Sequence, residues 1–328
     1  MIYNDKVYGP VKIEENFLIE LMNSKPMQRL KDISQAGSII FLSPTHKSKV
    51  FKSTRYEHSI GVFLLLKLFN ASIEEQIAGL IHDSSHTVFS HSLDFLFNRN
   101  VQHDYHEEFK ERIIMNSEIP EILQRNGIDV KNILDEKKFG LLEKELPDLC
   151  ADRIDYFFRD YELYGVSNQE LKTMLNGLMA YEGEFIFMGI DAAKSFAEKY
   201  IKANKLFWCN ALQATEFKLI SDVVKMGMEK GLVSDDDLFS TDKNVYEKLK
   251  NSGDREIERS LNLIYNLQII EDENDYDFHV KSKVRFTDPK VLIYDSVSRL
   301  SELDESYKRK MEEFIAEYSK GFFVKIKI

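Results

Sequence analysis

Apolar residues recur at three- and four-residue spacing through much of this chain, and that period predicts amphipathic α-helices. The spacing is regular over residues 62–69, 77–81 and 109–114, which we expect to be helices of one bundle. Ser72 has a glutamate three residues later, a combination typical of a capping box. A helix is therefore predicted to begin there and to run towards His82.

The rest of the chain mixes helices with short strands. The amphipathic stretch 149–164 ends at Gly165, a usual position for a helix C-cap. Two short apolar runs on either side of residues 182–184 predict a β-hairpin, and a helical pattern resumes over 192–231.

Strand-like patterns occur near both ends of the chain. Residues 3–10 predict a strand and a turn, and residues 277–286 and 321–328 predict strands with a charged helix at 306–320 between them. No internal repeat and no linker rich in glycine, serine or proline separates these parts. The sequence therefore predicts a mainly α fold, in which a small carboxy-terminal α+β annex packs on a helical body.

Composition limits what such a protein can bind. The 328 residues are 43% hydrophobic and 30% charged, as in ordinary globular proteins. The net charge of −11 provides no general attraction for nucleic acid or for an anionic membrane. A polyanionic substrate must therefore be held by a local cluster of cations or by a metal.

The pattern along the chain also bears on its compartment. The two cysteines, Cys150 and Cys209, are too few for a disulfide framework and fit a reducing environment. The amino terminus lacks a signal-peptide pattern, and the longest apolar run, 60–66, is far shorter than the roughly 20 residues that a bilayer needs. We expect a soluble cytoplasmic protein with no membrane partner.

Histidines and acids cluster in one third of the chain. Six of the eight histidines lie between His58 and His106, and several have an acid beside them or three residues away, as in His82-Asp83. Neutral imidazoles and carboxylates are the ligands of borderline and hard divalent metals. If the chain stays helical beyond residue 82, His86 shares a face with His82. The cluster therefore predicts a metal site with further polar groups around it.

Four motifs, in this order, carry a resemblance to a known family: RYEHS at 55–59, HDSSHTVFSHSLD at 82–94, HE at 106–107 and ADRIDYFFRD at 151–160. Together they resemble the HD-domain metal-dependent phosphohydrolases, and most closely the branch of deoxynucleoside triphosphate triphosphohydrolases, which includes dGTPases and the sterile-alpha-motif and HD-domain protein. The resemblance implies an HD-domain helical bundle as catalytic core. We expect this core to span 1–176, followed by a helical extension with the α+β annex over 177–328.

The resemblance implies a metal site formed by His58, His82, Asp83 and Asp152. Two histidines and two carboxylates accept Fe, Mn, Ni, Zn or Mg, so the cofactor is expected to be a divalent transition metal or magnesium.

The resemblance also implies catalytic roles for His86, His106 and Asp94, and a pocket position for His91 that contacts substrate. A carboxylate beside an imidazole raises its pKa, so we expect Asp94 to keep His106 protonated as a general acid. His103 has no counterpart in the family pattern and is expected at the surface.

Four more residues match positions that contact substrate in the family. Arg55 and Arg153 would hold phosphates, since a guanidinium forms bidentate hydrogen bonds with them. Tyr156 and Asp160 lie four residues apart and would contact the sugar. The alternatives are surface salt bridges for Arg153, core packing for Tyr156 and a neighbouring cation for Asp160.

Three departures from the family pattern concern specificity. Ser84 and Ser85 stand where a hydrophobic residue and a glycine are usual, and residues 207–209 replace a Tyr-x-His motif. Asn23 and Lys31 occupy the places of an Asp and an Arg that read guanine in nucleotide-activated members. Activation by GTP of the known kind is therefore not expected.

The first hypothesis is a metal-dependent nucleotide phosphohydrolase that converts deoxynucleoside triphosphates to deoxynucleoside and tripolyphosphate. An alternative keeps the chemistry but changes the substrate to nucleoside monophosphates, cyclic nucleotides or single-stranded nucleic acid ends, although the acidic charge disfavours a long polymer. A third hypothesis is a catalytically quiet nucleotide-binding scaffold. By analogy with the relatives, a homo-oligomer is expected.

Overall fold

The computed structural model describes residues 1–47 and 53–327, and its fold is mainly α-helical with small sheets, as predicted. The α-helices are α1 Asn16–Met22, α2 Lys25–Arg29, α3 Pro44–Lys47, α4 Arg55–Leu68, α5 Ile73–Ile81, α6 Lys110–Met115, α7 Ile119–Arg125, α8 Val130–Leu134, α9 Ala151–Arg159, α10 Asn168–Gly177, α11 Ile190–Ala203, α12 Ala211–Glu229, α13 Asp242–Lys250, α14 Arg255–Tyr265, α15 Leu300–Leu303 and α16 Glu305–Tyr318.

Nine short strands form three sheets in the described part of the chain. The strands are β1 Ile2–Asp5, β2 Gly9–Lys12, β3 Leu178–Tyr181, β4 Glu184–Phe187, β5 Ile269–Glu271, β6 Phe278–Val280, β7 Lys290–Ile293, β8 Ser296–Arg299 and β9 Phe322–Ile326. β1 pairs with β2, the second sheet has the order β3-β4-β7-β8, and the third has the order β5-β9-β6. All pairs are antiparallel except β4 with β7.

Capping residues set the starts of the two helices that carry the first chemical motifs. Thr54 begins α4 with a capping box, in which its hydroxyl accepts from the N–H of Glu57 and the Glu57 carboxylate accepts from the N–H of Thr54. Ser72 caps α5 as predicted, since its hydroxyl accepts from the N–H of Glu75. α4 packs along both α5 and α9, so the motif at 55–59, which begins α4, lies close to the motifs on those two helices.

The structure corrects three expectations about these elements. The chain leaves the helix after Ile81, and residues 82–85 form a turn, so helical spacing does not relate His82 to His86. The predicted helix over 149–164 divides into α9 and a 3-10 turn, Tyr161–Tyr164, before the positive-φ Gly165. The strand predicted over 277–286 ends at Val280.

The carboxy-terminal annex returns to the helical body through residues 281–289, which form no helix or strand. Two contacts join it to the loop before the 3-10 turn Tyr105–Phe109: the Asn100 amide donates to the Lys281 carbonyl at 2.8 Å, and the Lys283 amine donates to the Gln102 carbonyl at 2.9 Å. The strand prediction over 321–328 is confirmed for β9, while Ile328 lies outside the described residues.

One large apolar core extends from Val11 to Phe314 and includes buried residues on both sides of position 176. The division of the chain at 176 therefore stays a prediction. Within residues 1–47 and 53–327, every helix is too short or too polar to cross a lipid bilayer.

Helices α4 and α9 approach most closely at Gly61. A Cβ atom at this position would lie 1.8 Å from Nη2 of Arg159 and 2.0 Å from Oδ1 of Asp155. Because both atoms belong to a buried ion pair, they have little room to move aside. Glycine is therefore required here by the approach of a neighbouring helix.

We predict that Gly61→Ala lowers the free energy of unfolding by about 3 kcal/mol, the upper part of the usual range for overpacking a core. Urea unfolding followed by circular dichroism measures the change. Gly189→Ala is the matched control, because a Cβ atom there meets nothing within 4 Å. Equal stabilities for the two variants would contradict this account of the helix contact.

Candidate metal centre and active site

Three potential metal ligands converge from three different elements. His58 lies on α4, His82 follows the end of α5, and Asp152 lies in the first turn of α9. Oδ1 of Asp152 is 2.9 Å from Nε2 of His58 and 3.6 Å from Nε2 of His82. Ligands about 2.1 Å from a common ion are separated by roughly 3 to 4 Å, so these atoms have the spacing of a coordination sphere.

Asp83 lies at the edge of the same cluster. Its Oδ1 is 3.6 Å from Nε2 of His82, and its Oδ2 is 4.0 Å from Nε2 of His58. The structure therefore brings together all four residues predicted from the motifs as ligands. Asp83 also forms a buried ion pair with Nη1 of Arg55 at 2.9 Å.

Hydrogen bonds from the other ring nitrogens orient both histidines. Nδ1 of His58 donates to Oδ2 of Asp155 at 2.8 Å, and Nδ1 of His82 donates to the Gly79 carbonyl at 2.8 Å. Both Nε2 atoms therefore face the cluster as potential ligands. Nε2 of His82 is buried and has no hydrogen-bond partner among the described residues, which is the condition expected of an atom that binds a metal.

Asp155 is itself held by two groups that the sequence motifs did not single out. The Arg159 guanidinium donates to both of its oxygens, at 2.8 Å and 2.7 Å, and the Tyr8 hydroxyl donates to Oδ1 at 2.9 Å. Arg159 in turn pairs with Asp5 at 3.1 Å. The amino-terminal hairpin of β1 and β2 thus helps to hold Asp155, which orients His58. The spacing of three from Asp152 to Asp155 on α9 is the only sequence signal that marks Asp155.

Electrostatics keep the ligand carboxylates ionised. Burial opposes ionisation of Asp152, but His58 and His82 hold its pKa well below the usual range. Burial likewise opposes ionisation of Asp83, and the Arg55 guanidinium outweighs it to lower the pKa. For His58, burial favours the neutral ring, yet Asp152 and Asp155 raise its pKa to about 9.

A row of further imidazoles begins next to Asp83. The rings of His86 and His106 stack with centroids 4.0 Å apart, and His91 lies 5.1 Å from His86. His103 follows at 4.3 Å from His91, so the structure corrects its expected surface position: the side chain is buried. Burial lowers the pKa of His106 to about 3 and those of His86, His91 and His103 well below the ordinary value, so the row is neutral near pH 7.

The expected pairing of Asp94 with His106 is wrong. Oδ2 of Asp94 accepts from Nδ1 of His91 at 2.8 Å, and its Oδ1 accepts from the Tyr105 N–H at 3.2 Å. The reason is local, because residues 90–95 form a 3-10 helix in which positions three apart share a face. Burial raises the pKa of Asp94 to about 7.

The two arginines predicted to hold phosphates have protein partners. Besides Asp83, Arg55 bonds through Nε to the Ser90 hydroxyl at 3.0 Å. Arg153 turns towards the loop before α9, where it donates to the carbonyls of Asp148 and Lys144. Arg55 thus lies at the metal cluster, whereas the guanidinium of Arg153 is hydrogen-bonded to the loop before α9.

Tyr156 and Asp160 occupy different surroundings. The Tyr156 ring lies beside His58 and Trp208, at centroid distances of 6.4 Å and 5.0 Å, and its hydroxyl bonds to that of Tyr200. Asp160 instead accepts from the Ser53 hydroxyl at 3.2 Å. Tyr156 is therefore close to the metal cluster, and Trp208, in the segment that replaces the Tyr-x-His motif, contacts it.

Comparison with known proteins identifies the family. The model of the HD domain matches residues 55–160. The chain is 38% identical to the uncharacterised protein YdhJ of Bacillus subtilis, over 99% of each chain. It is 29% identical to the metal-dependent phosphohydrolase cns2 of Cordyceps militaris, over 89% of this chain and 85% of the relative. A more distant relative is SAMHD1 of Gallus gallus, a deoxynucleoside triphosphate triphosphohydrolase, with 25% identity over 51% of this chain and 34% of the relative.

A solved structure shares the fold. The crystal structure of a phosphohydrolase from Bacteroides thetaiotaomicron aligns over 100% of both chains with a TM-score of 0.69 and 16% identity. The HD-domain match and the similarity to a metal-dependent phosphohydrolase indicate a protein of that class, and the His/Asp cluster could hold its metal ion. The chain belongs to the HD-domain family of these enzymes, as the motifs implied, and YdhJ resembles it along its whole length.

We predict that Asp155→Asn weakens the binding of Mn²⁺ by roughly 10- to 100-fold, the usual cost of removing the partner of a ligand histidine. The physical reason is that His58 loses the carboxylate that orients its ring. Titration of the metal-free protein against a competing chelator measures the affinity. Asp222→Asn, which breaks an exposed i,i+4 pair with Lys218, serves as control, and unchanged affinity in the Asp155 variant would count against the assignment.

Proposed function

We propose that this HD phosphohydrolase hydrolyses deoxynucleoside triphosphates to deoxynucleoside and tripolyphosphate. The observation that carries the proposal is that a His/Asp metal cluster adjoins a row of buried neutral imidazoles, with Asp83 between them. The four sequence motifs and the similarity to SAMHD1 support the same substrate class.

In the proposed site, His58, His82, Asp83 and Asp152 hold the divalent ion. When bound, the ion supplies a Lewis acid for a phosphoryl oxygen and makes a water more acidic. The chain's own part is to hold the ligands in place: Asp155 orients the ring of His58, and the Arg55 ion pair keeps Asp83 ionised.

We assign the proton donor for the leaving oxygen to His91 instead of His106. His91 has the carboxylate partner that the role requires, at 2.8 Å in Asp94. A polyanionic substrate in the site would raise the pKa of the buried ring, because nearby negative charge favours imidazolium. His86 and His106, stacked beside Asp83, would then contact the scissile phosphate as neutral hydrogen-bond donors.

The remaining predicted residues complete the proposal. Tyr156, beside His58, would stack against the sugar, and Asp160 would accept from a sugar hydroxyl. Arg55 would contact the phosphate at the metal, and Arg153 would act on substrate only through its loop. We further propose that residues 1–176 form the catalytic core, that the enzyme works in the cytoplasm, and that it forms a homo-oligomer.

A product assay tests the substrate. With Mn²⁺ present, we expect the four deoxynucleoside triphosphates to yield tripolyphosphate at similar rates and with at most slight stimulation by GTP. The broad base selectivity is expected because residues 207–209 replace a polar reading motif. Preferential turnover of monophosphates or cyclic nucleotides would favour the alternative substrates. A metal-loaded protein that turns over none of them would be a binding scaffold.

The assignment of the acid predicts an order among variants. His91→Ala is expected to lower kcat by roughly 10²- to 10⁴-fold, the usual value of a positioned acid, while the protein keeps its metal. Asp94→Asn should act in the same direction, and His106→Ala more weakly. His279→Ala, an exposed histidine of the annex, is the control. A larger loss for His106→Ala than for His91→Ala would return the role to His106.

A further inference from the structure

Two cations outside the HD motifs reach the same site. Lys283 and Arg285 lie on the segment 281–289, which forms no helix or strand. Nη2 of Arg285 donates to Nδ1 of His103 at 2.9 Å, which attaches the guanidinium to the far end of the imidazole row. The Lys283 amine donates to the carbonyl of Gln102, the residue before His103.

Neither cation forms an ion pair with an acid in the described part of the chain. Within residues 1–47 and 53–327, no carboxylate oxygen lies within the 4.0 Å of an ion pair from Lys283 or Arg285. Both side chains are partly buried. Partly buried positive charges normally gain a counter-ion, because desolvation is otherwise uncompensated. An unpaired pair of cations is therefore the arrangement expected where an anionic ligand provides the missing charge.

Their charges act on the groups of the active site. The charge of Arg285 contributes, after burial, to the lowered pKa values of His91 and His103. Burial and then Arg285 lower the pKa of Lys283, and the carboxylates of Glu143 and Asp152 oppose that shift. The charges of the two cations therefore act on the imidazole row and on its surroundings.

The two arginines predicted from the HD motifs already have protein partners. Arg55 is engaged by Asp83 and Ser90, and Arg153 by the carbonyls of its own loop. The imidazoles of the row carry no charge near pH 7, so they offer hydrogen bonds but no charge to neutralise several phosphates. A substrate with three phosphates needs further cations, and Lys283 and Arg285 are placed to supply them.

We propose that Lys283 and Arg285 form a polyphosphate subsite, which holds the phosphates of a nucleotide beyond the one that is attacked. This inference rests on the proposed function and names the part of the chain that selects triphosphates. His103 is a positioning residue in it, because its Nδ1 accepts from one arm of the guanidinium and leaves the others for phosphate oxygens. The annex thereby contributes substrate recognition to a metal site built by the HD helices.

Binding of inorganic tripolyphosphate tests the subsite without any turnover. We expect Arg285→Gln and Lys283→Gln each to weaken tripolyphosphate roughly 10- to 100-fold in calorimetry of the metal-loaded protein, as for loss of a charged hydrogen bond. Orthophosphate should be weakened much less, since it can bind at the metal alone. Lys281→Gln is the matched control, because Lys281 carries the same charge on the same segment but is exposed.

The steady state offers a second measurement. With a deoxynucleoside triphosphate, the two variants should raise KM more than they lower kcat, whereas a merely disrupted fold would lower kcat and the metal content together. Metal content and thermal unfolding equal to those of the wild type establish that the variants are folded. Tripolyphosphate affinity in both variants equal to that of Lys281→Gln would overturn the proposal.

Failure of the subsite and failure of the proposed function give different results. If the wild type binds tripolyphosphate through Lys283 and Arg285 but does not hydrolyse deoxynucleoside triphosphates, the subsite stands and the substrate is another polyphosphate. If it hydrolyses them and the variants bind and turn over as the control does, the function stands and the subsite is wrong.

Discussion

The buried contact between Asp155 and His58 is the constraint on which the metal centre depends. An ionised carboxylate inside a helical core is costly unless it is paired and hydrogen-bonded. Here Arg159 supplies a bidentate pair and Tyr8 a further hydrogen bond. The buried network also requires α4 and α9 to approach closely, and Gly61 permits this because it has no side chain. The ring of His58 consequently has a fixed orientation before any ion binds.

The active site combines two opposite electrostatic regimes within a short distance. At the metal cluster, Arg55 keeps Asp83 ionised despite burial, and His58 and His82 do the same for Asp152. In the adjoining row, burial and the charge of Arg55 outweigh nearby Asp83 and keep His86 and His106 neutral. This division suits a reaction at phosphorus, since the first region attracts a cation and the second offers hydrogen bonds to an anion without repelling the metal.

In the proposed function, substrate recognition and chemistry come from different parts of the chain. Residues 55–160 match the HD domain and contain every predicted metal ligand. The segment 281–289 arrives from the annex and places Lys283 and Arg285 beside His103. The same segment packs on the core through Val284 and Phe286, so it links the annex both to the helical body and to the proposed subsite.

The sequence alone determined the helical class, the caps at Ser72 and Gly165, the hairpin over β3 and β4, and the motifs from which the family follows. These are properties of local periodicity and of residue types at short spacing. Only the tertiary structure decided that Asp94 bonds to His91, that His103 is buried, and that Arg285 reaches it. Such contacts depend on turns and long-range packing that bring distant residues together, and no short-range pattern specifies them.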